Sequence, residues 1–120
     1  MTLLAKRQER SIVPRMYYIT TAIDYTNGPP HIGHAYEKVL ADVLARWHRM
    51  KGEEVYFLTG VDQHGQKVQQ TAEKLGITPQ EHVNNITGQF LALWDRLGIS
   101  NDGWASTTDP RHKACVQKIL

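Results

Sequence analysis

The sequence has a single cysteine, little net charge and no long hydrophobic run. Cys115 is alone, which excludes a disulfide within these 120 residues and a metal cluster built from several thiolates. A formal net charge of +2 neither requires nor excludes a nucleic-acid partner. No apolar run approaches the roughly 20 residues that a membrane-spanning helix needs. The composition, 41% hydrophobic and 22% charged, is typical of a folded globular segment and not of a disordered one.

The first fifteen residues differ from the rest. Residues 1–15 carry four basic side chains but lack the apolar core of a signal peptide. We interpret them as a disordered leader, or as a misplaced start with translation beginning at Met16. An organellar presequence is the weaker alternative because Glu9 is acidic, so the expected location is the cytoplasm. Residues 16–120 are predicted to form the folded part.

A strand, a turn and a helix are predicted at the start of that part. Residues 16–22 are aromatic and β-branched, which favours a strand buried on both faces of a parallel sheet. Asn27 and Gly28 tolerate a positive φ, and two prolines then preset a helix entry. Apolar residues recur every three or four positions from Ala35 to Met50, which predicts a helix with an apolar stripe in the core. The stripe comprises Tyr36, Val39, Leu40, Val43, Leu44 and Trp47, with Glu37, Lys38, Asp42, Arg46 and Arg49 on the other faces.

A second strand over residues 54–59 completes a strand–helix–strand unit. Such a crossover makes the two strands parallel, and ligands bind beyond the carboxyl ends of strands in open sheets of this kind. The segments 25–34 and 60–65 are therefore expected to meet at one edge of the sheet. The predicted fold is α/β: the first half of a doubly wound parallel sheet.

The remaining elements carry clear boundary signals. Residues 66–75 are predicted as a helix closed by Gly76, and Thr78 should cap the next helix, which ends at Gly98. A short strand over residues 104–106 and a helix that starts at Asp109 follow. We expect Trp47 and Trp94 to be core residues and Cys115 to be a buried, inert thiol.

The helix start after the turn carries His31 and His34 on either side of Gly33. The first N–H groups of a helix are unpaired and attract anions, and two imidazoles add further donors. Gly33 lets a flat ligand approach the backbone. This pattern predicts a nucleotide site, with phosphates at the imidazoles. A satisfied helix start or two metal ligands are the alternatives.

A carboxylate follows the second strand. Asp62 can bind a substrate ammonium or cap the next helix, and Tyr25 can wall the same pocket. A pocket with both an anion end and a cation-binding end would suit a zwitterionic amino acid and a nucleotide. A zinc site from His31, His34, His64 and Asp62 is a less favoured alternative because its pattern matches no metalloprotease.

Three segments of the sequence together resemble one enzyme family. His31-Ile32-Gly33-His34 is the HIGH signature of class I aminoacyl-tRNA synthetases. The wider pattern Tyr25-x-Asn27-Gly28-x-x-HIGH and the segment Phe57-Leu58-Thr59-Gly60-x-Asp62-x-His64-Gly65 resemble the methionyl-tRNA synthetases. The resemblance implies that the chain is the first half of a Rossmann-like (HUP-type) doubly wound parallel-sheet nucleotide-binding domain. It also implies an enzyme that activates methionine with Mg-ATP to methionyl-adenylate and transfers it to tRNA.

The resemblance also implies roles for single residues. His31 and His34 would be catalytic and bind the triphosphate, and Gly33 would lie against the adenine. Asp62 would bind the methionine ammonium, with Tyr25 beside the methionine side chain. The positions expected to border methionine are Ala22, Ile23, Tyr25 and Asp62.

Other features of the family do not match or lie outside these residues. Ala22, Asp24 and Gln63 depart from the common family residues, which bears on fine substrate preference. The family's lysine-rich KMSKS loop, its zinc-bearing insertion and its anticodon-binding helices are expected beyond this chain, and no metal ligand is expected within it. We therefore expect a truncated product or fragment; a standalone nucleotide-binding module and an inactive fragment are the alternatives.

Overall fold

The strands of the protein are arranged around one central strand. The computed structural model describes residues 16–120, so the predictions made for residues 1–15 lie outside the described part. The elements in chain order are β1 (Tyr17–Thr20), β2 (Asp24–Tyr25), α1 (Ile32–Met50), β3 (Val55–Asp62), α2 (Gln66–Leu75), α3 (Pro79–Leu97), β4 (Gly103–Ser106) and α4 (Pro110–Ile119). Within this part, no helix is both long and apolar enough to cross a membrane.

All strand pairs are parallel, and β3 lies in the middle. Leu58 of β3 pairs with Thr20 of β1 on one side and with Gly103 of β4 on the other. Val61 likewise lies between β2 and β4, so β1 and β2 share one edge of β3. If β1 and β2 are counted as one interrupted strand, three parallel strands are joined by two crossovers and lie in the order third, second, first, which is the first half of a doubly wound sheet. The predicted fold class is confirmed.

A bulge separates β1 from β2. Thr20 pairs with Leu58 and Asp24 pairs with Val61, so three residues, 21–23, stand opposite only two, 59–60. One extra residue interrupts the ladder and bends the strand. The first strand was predicted to run through residue 22; it ends at Thr20 because of this insertion.

The helix boundaries follow the local sequence signals. Thr78 caps α3: its hydroxyl accepts from the Glu81 amide at 3.2 Å, and the Glu81 carboxylate accepts from the Thr78 amide at 2.9 Å. This reciprocal arrangement satisfies two N–H groups that a helix start would leave unpaired. Gly76 and Gly98 end α2 and α3 in the left-handed conformation, with φ of 68° and 64°.

The core lies on one face of the sheet, because Phe57 and Val61 are four positions apart on β3 and therefore point to the same side. Phe57 packs against Ala41 and Ala45 of α1. Val61 packs against α3 through a cluster that includes Phe90 and Trp94, so the prediction of a core position for Trp94 is confirmed. α1 and α3 therefore lie side by side over this face of β3 and contact each other.

The predicted apolar stripe of α1 is wrong. Its members are exposed, and Trp47 keeps 53% of its surface in contact with solvent. The face buried on the sheet comprises Lys38, Ala41, Asp42 and Ala45. Two alanines allow the helix to approach the sheet closely, which turns its larger side chains away from the sheet. None of the elements described here covers them.

Cys115 is exposed, so the prediction of a buried thiol is also wrong. It lies on α4, which has no buried residue over its whole length. The helix therefore leaves both its apolar and its polar side chains open to solvent.

Candidate functional site

The two polar segments meet at the carboxyl edge of the sheet, as the strand order predicts. Tyr25 pairs with Asp62 across neighbouring strands. Both the amide and the hydroxyl of Thr26 donate to the Asp62 carbonyl, at 3.0 and 2.9 Å. The turn at Asn27 is held by α2 and α3. Thr71 of α2 donates to the Asn27 side chain at 3.0 Å, and the His82 ring of α3 is hydrogen-bonded to the Asn27 carbonyl.

Two histidines cap α1 by binding each other's backbone. His31 Nδ1 accepts from the Gly33 amide at 3.1 Å, and His34 Nδ1 accepts from the His31 amide at 3.1 Å. A ring nitrogen that accepts carries no hydrogen, so this network assigns both rings to the neutral tautomer with the proton on Nε2. Each ring therefore keeps one Nε2–H donor that the cap does not use.

The surroundings of His34 also favour the neutral ring. Partial burial lowers its pKa, and the nearby His31 and Lys38 act in the same direction, while Asp24 opposes them. The two histidine rings lie 3.8 Å apart between centroids, and His34 packs edge-on against Phe90. A positive charge on both rings would be repulsive at that separation. The site offers neutral donors more readily than a doubly charged pair.

Gly33 leaves open space above the helix start. A Cβ placed there would meet only the His31 ring, at 3.0 Å from Cε1 and 3.1 Å from Nδ1. A side chain at this position would press on the ring that caps the helix. The glycine thus protects the cap and leaves the backbone accessible.

Asp62 is held with one carboxylate oxygen free. Its Oδ1 accepts from the His64 amide at 3.2 Å and from the Thr107 hydroxyl at 3.3 Å. Within residues 16–120 no group donates to Oδ2. The alternative role as a helix cap is not realised, because Gly65 occupies the cap position of α2. Asp62 can therefore accept a hydrogen bond from a ligand.

Gly65 also makes room for Tyr25. A Cβ on Gly65 would lie 2.6 Å from the Tyr25 hydroxyl oxygen, and its φ of 132° is one that other residues rarely adopt. His64 turns toward the Thr107 carbonyl, 3.2 Å from its Nε2. Over the described residues no three His, Cys, Asp or Glu side chains are grouped as metal ligands.

Ala22 and Ile23 lie in the exposed bulge beside Tyr25. The peptide groups of Ala22 are bound by two side chains of α1: its amide donates to Glu37 Oε1 at 3.0 Å, and its carbonyl accepts from Lys38 Nζ at 3.1 Å. Sequence reasoning assigned both to outer helix faces and missed these contacts. One signal was available, since Lys38 follows His34 by four positions and so shares its helix face.

Lys38 and Asp24 form a buried ion pair behind the bulge, and Asp24 is the less completely hydrogen-bonded partner. Lys38 is fully buried and donates to Asp24 Oδ1 and Glu37 Oε2, each at 2.9 Å. Asp24 is 3% exposed, and its Oδ2 has no hydrogen-bond partner. Burial raises the pKa of Asp24 despite the ammonium beside it. Partial burial opposes ionisation of Glu37 as well, but hydrogen bonds from Lys38 and the Ala22 amide lower its pKa.

Gln63 has a structural role. Its side-chain amide donates to the Thr87 hydroxyl at 2.9 Å, and its carbonyl oxygen accepts from Ser106 and Thr108. It ties the end of β3 to α3 and to the end of β4.

A parallel sheet of this order, with a capped helix start and a carboxylate at its carboxyl edge, defines a Rossmann-like nucleotide-binding domain. The family model described as "tRNA synthetases class I (M)" matches residues 17–120. The chain therefore belongs to the class I tRNA synthetases of this methionyl family.

Curated relatives and solved structures are similar over most of the chain. The methionine–tRNA ligase of Deinococcus radiodurans is 50% identical over 107 residues, which are 88% of this chain and 16% of that protein. That of Mesorhizobium japonicum is 52% identical over 103 residues, or 86% of this chain and 20% of that protein. The methionyl-tRNA synthetase of Mycobacterium tuberculosis, solved in complex with methionyl-adenylate, is 39% identical with a TM-score of 0.85; the match covers 88% of this chain and 21% of that one. The chain thus spans about a sixth to a fifth of these relatives.

Proposed function

We propose that residues 16–120 are the amino-terminal half of a methionine–tRNA ligase catalytic domain and supply its ATP and methionine half-site. The observation that carries the proposal is the pairing of Tyr25 with Asp62, which brings the histidine-capped helix start and a free carboxylate oxygen to one sheet edge. Membership of the methionyl family and the methionyl-adenylate bound to the Mycobacterium tuberculosis relative support the same substrates.

The ATP end is formed by the start of α1. The Nε2–H groups of His31 and His34 donate to phosphate oxygens, and the helix dipole adds a partial positive charge at the same point. Gly33 leaves space for the adenine. ATP enters as its Mg²⁺ complex, so the divalent ion arrives with the substrate.

The methionine end is formed across the strand ends. Asp62 Oδ2 accepts from the methionine ammonium, which makes a charge-assisted hydrogen bond. Tyr25, Ala22 and Ile23 border the side chain. This arrangement orients the methionine carboxylate toward the phosphates.

The reaction then needs positioning and charge stabilisation. A methionine carboxylate oxygen attacks the α-phosphorus of ATP, the bond to the bridging oxygen breaks, and pyrophosphate leaves with the electron pair. The histidine donors stabilise the charge that develops on the phosphate oxygens. A hydroxyl of the terminal adenosine of tRNA(Met) then attacks the acyl carbon, the bond from that carbon to the phosphate oxygen breaks, and AMP leaves as the ester forms and the hydroxyl proton is released.

The test is methionine-dependent exchange between ATP and pyrophosphate, using the protein expressed from its complete reading frame. Two variants separate capping from phosphate binding. His34→Asn keeps an oxygen where Nδ1 accepts from the His31 amide, but lacks the Nε2–H donor. His34→Gln can place its amide nitrogen where Nε2 lies, but gives up the cap. His112→Ala on exposed α4 is the matched control.

We expect His34→Asn to lower kcat about 10²- to 10³-fold with little loss of stability, as removal of one transition-state donor does elsewhere. His34→Gln should retain more activity than His34→Asn. Equal activity of wild type and His34→Asn would contradict the role of His34. ATP binding without methionine-dependent exchange would favour the nucleotide-binding module, and absence of both would favour the inactive fragment.

A further inference from the structure

Lys38 has no place in the proposed chemistry, yet it is the most completely buried charged side chain of the described residues. None of its surface is exposed. Its three ammonium hydrogens have three acceptors: Asp24 Oδ1 at 2.9 Å, Glu37 Oε2 at 2.9 Å and the Ala22 carbonyl at 3.1 Å. Trp94 covers the ammonium, with its ring centroid 5.5 Å from Nζ. The lysine is thus closed off from solvent and cannot touch a substrate itself.

Its one backbone partner lies in the bulge. Residues 21–23 stand opposite two residues of β3, so the sheet ladder cannot hold all their peptide groups. α1 supplies the missing partners, because Glu37 accepts from the Ala22 amide and Lys38 donates to the Ala22 carbonyl. The Thr21 hydroxyl also donates to that carbonyl, at 2.9 Å. The conformation of the bulge is therefore set by side chains of the helix that begins with His31.

Stability alone does not explain this cluster. Burying a lysine and a carboxylate costs more than their attraction returns unless all their atoms are satisfied, and well-packed apolar residues often serve as well. Asp24 Oδ2 is buried without a partner, so this cluster is not fully satisfied. What an apolar replacement cannot do is hold the Ala22 peptide from both sides.

We propose that Lys38, together with Glu37, is a positioning residue for methionine, because it clamps the Ala22 peptide and fixes the edge of the pocket formed by residues 22–25. The inference rests on the proposed function. Lys38 acts through Ala22 and touches no substrate. The clamp also links this edge to the helix whose first turn carries the phosphate-binding histidines, so both substrates are oriented by one rigid element.

The decisive variant removes the buried charges together. Lys38→Met alone leaves Asp24 unpaired in the interior and can unfold the protein. The double variant Asp24→Leu/Lys38→Met leaves no unpaired buried charge and should fold, but α1 no longer donates to the Ala22 carbonyl, which keeps only the Thr21 hydroxyl as a side-chain donor. Arg46→Met is the matched control: it removes a cation from the same helix that donates to Asp42 and to the Gly98 carbonyl, away from Ala22.

The measurement is ATP–pyrophosphate exchange by the protein from its complete reading frame, with KM determined separately for methionine and ATP. We expect the double variant to raise KM for methionine about tenfold, the loss typical of one hydrogen bond to a charged group. KM for ATP should change less than about twofold, as expected if the start of α1 is intact. Arg46→Met should leave both values near those of the wild type.

A conservative pair tests the other half of the clamp. Glu37→Gln keeps an oxygen that accepts from the Ala22 amide, whereas Glu37→Ala removes it. We expect Glu37→Gln to raise KM for methionine less than Glu37→Ala does. Hydrogen exchange at the Ala22 amide should become faster in Glu37→Ala and in the double variant.

Three outcomes overturn the inference in distinguishable ways. A folded double variant with an unchanged KM for methionine shows that the clamp does not position this substrate. Equal increases in both KM values show a general structural role. A wild-type protein without methionine-dependent exchange rejects the proposed function itself, and the inference falls with it.

Discussion

Helix α1 carries two polar networks on its buried face, one turn apart, and they differ in how completely they are satisfied. In the near network, beside the site, Lys38 is fully buried and Asp24 keeps one oxygen without a donor. In the far network, one turn further along the helix, Asp42 Oδ1 accepts from the amide and hydroxyl of Ser100, and Oδ2 accepts from Arg46 at 2.6 Å. Every carboxylate oxygen of the far network has a partner.

The pKa of Asp24 is raised and that of Asp42 is lowered, because the two carboxylates differ in how well hydrogen bonds compensate for burial. Burial raises the pKa of Asp24 because one ammonium does not compensate for lost water. Burial opposes ionisation of Asp42 too, but hydrogen bonds from Ser100 and Arg46 outweigh it and lower its pKa. The far network fastens the helix to the loop after α3, whereas the near network holds an unsatisfied charge beside the proposed pocket. Proteins keep such local conflicts most often where function requires them.

The largest expected effect is that of Lys38→Met. It leaves the buried Asp24 carboxylate uncompensated, and we expect a loss of about 3–5 kcal/mol in the free energy of unfolding. Urea denaturation of the chain, followed by circular dichroism, measures it. Asp24→Leu/Lys38→Met should recover most of the loss. Equal losses for the single and double variants would show that unpaired charge is not the cause.

Asp42→Ala comes next. It leaves the Ser100 amide and hydroxyl without their acceptor in a partly buried place, and we expect a loss of about 1–3 kcal/mol by the same denaturation measurement. KM for methionine should not change. If this variant cost more stability than Lys38→Met, or altered KM for methionine, the division between the two networks would be wrong.

Arg46→Met should have a smaller effect. The Arg46 side chain is 53% exposed, and methionine retains the packing of its stem. Partly exposed ion pairs contribute roughly 0–1 kcal/mol, so we expect a loss within that range by urea denaturation. A loss as large as that of Asp42→Ala would assign the stability of the far network to the arginine and not to Ser100.

The smallest expected effect is the pH dependence of the free energy of unfolding, which should differ between the two networks. The pKa of His34 is lowered below 6.5, so the unfolded chain binds the proton first. Its contribution is present above pH 6.5 and is lost as the pH falls toward the folded-state pKa. Asp42 has a pKa lowered from 3.8, so its contribution persists until the pH falls below that value.

Urea denaturation at pH 7 and pH 5 checks this order. The wild type should lose more stability over this interval than His34→Asn, in which no ring titrates at that position. Asp24, whose raised pKa acts in the opposite direction, is present in both proteins. Asp42→Ala should lose as much as the wild type between the two pH values; a smaller loss would assign the mild-acid effect to the far network.

Much of the fold could be predicted from local chemistry. The capping box from Thr78 to Glu81 and the glycines at 76 and 98 set helix ends by hydrogen bonds within a few residues, so a local reading is sufficient. The parallel arrangement followed from the order of elements, because a crossover helix leaves few alternatives. The meeting of Tyr25 and Asp62 followed from that arrangement.

The errors have one physical origin. The helical period correctly divides α1 into faces, but it does not say which face meets the sheet. The face of α1 with Tyr36 and Trp47 is the more apolar one. Ala41 and Ala45 are smaller, however, and they let the helix approach Phe57 of the sheet more closely. Cys115 was misplaced for a similar reason, since an apolar face on α4 does not guarantee a partner.

The sequence by itself determined the elements, their parallel order and the residues at the helix start, because each depends on neighbours along the chain. Only the tertiary structure decided that Lys38 reaches Ala22 across 16 positions. It also decided that Asp62 keeps one oxygen free. The contact of Lys38 with Ala22 depends on how closely α1 lies on the sheet and on one extra residue between β1 and β2. The periodicity of a sequence gives neither the distance between a helix and a sheet nor the register of paired strands.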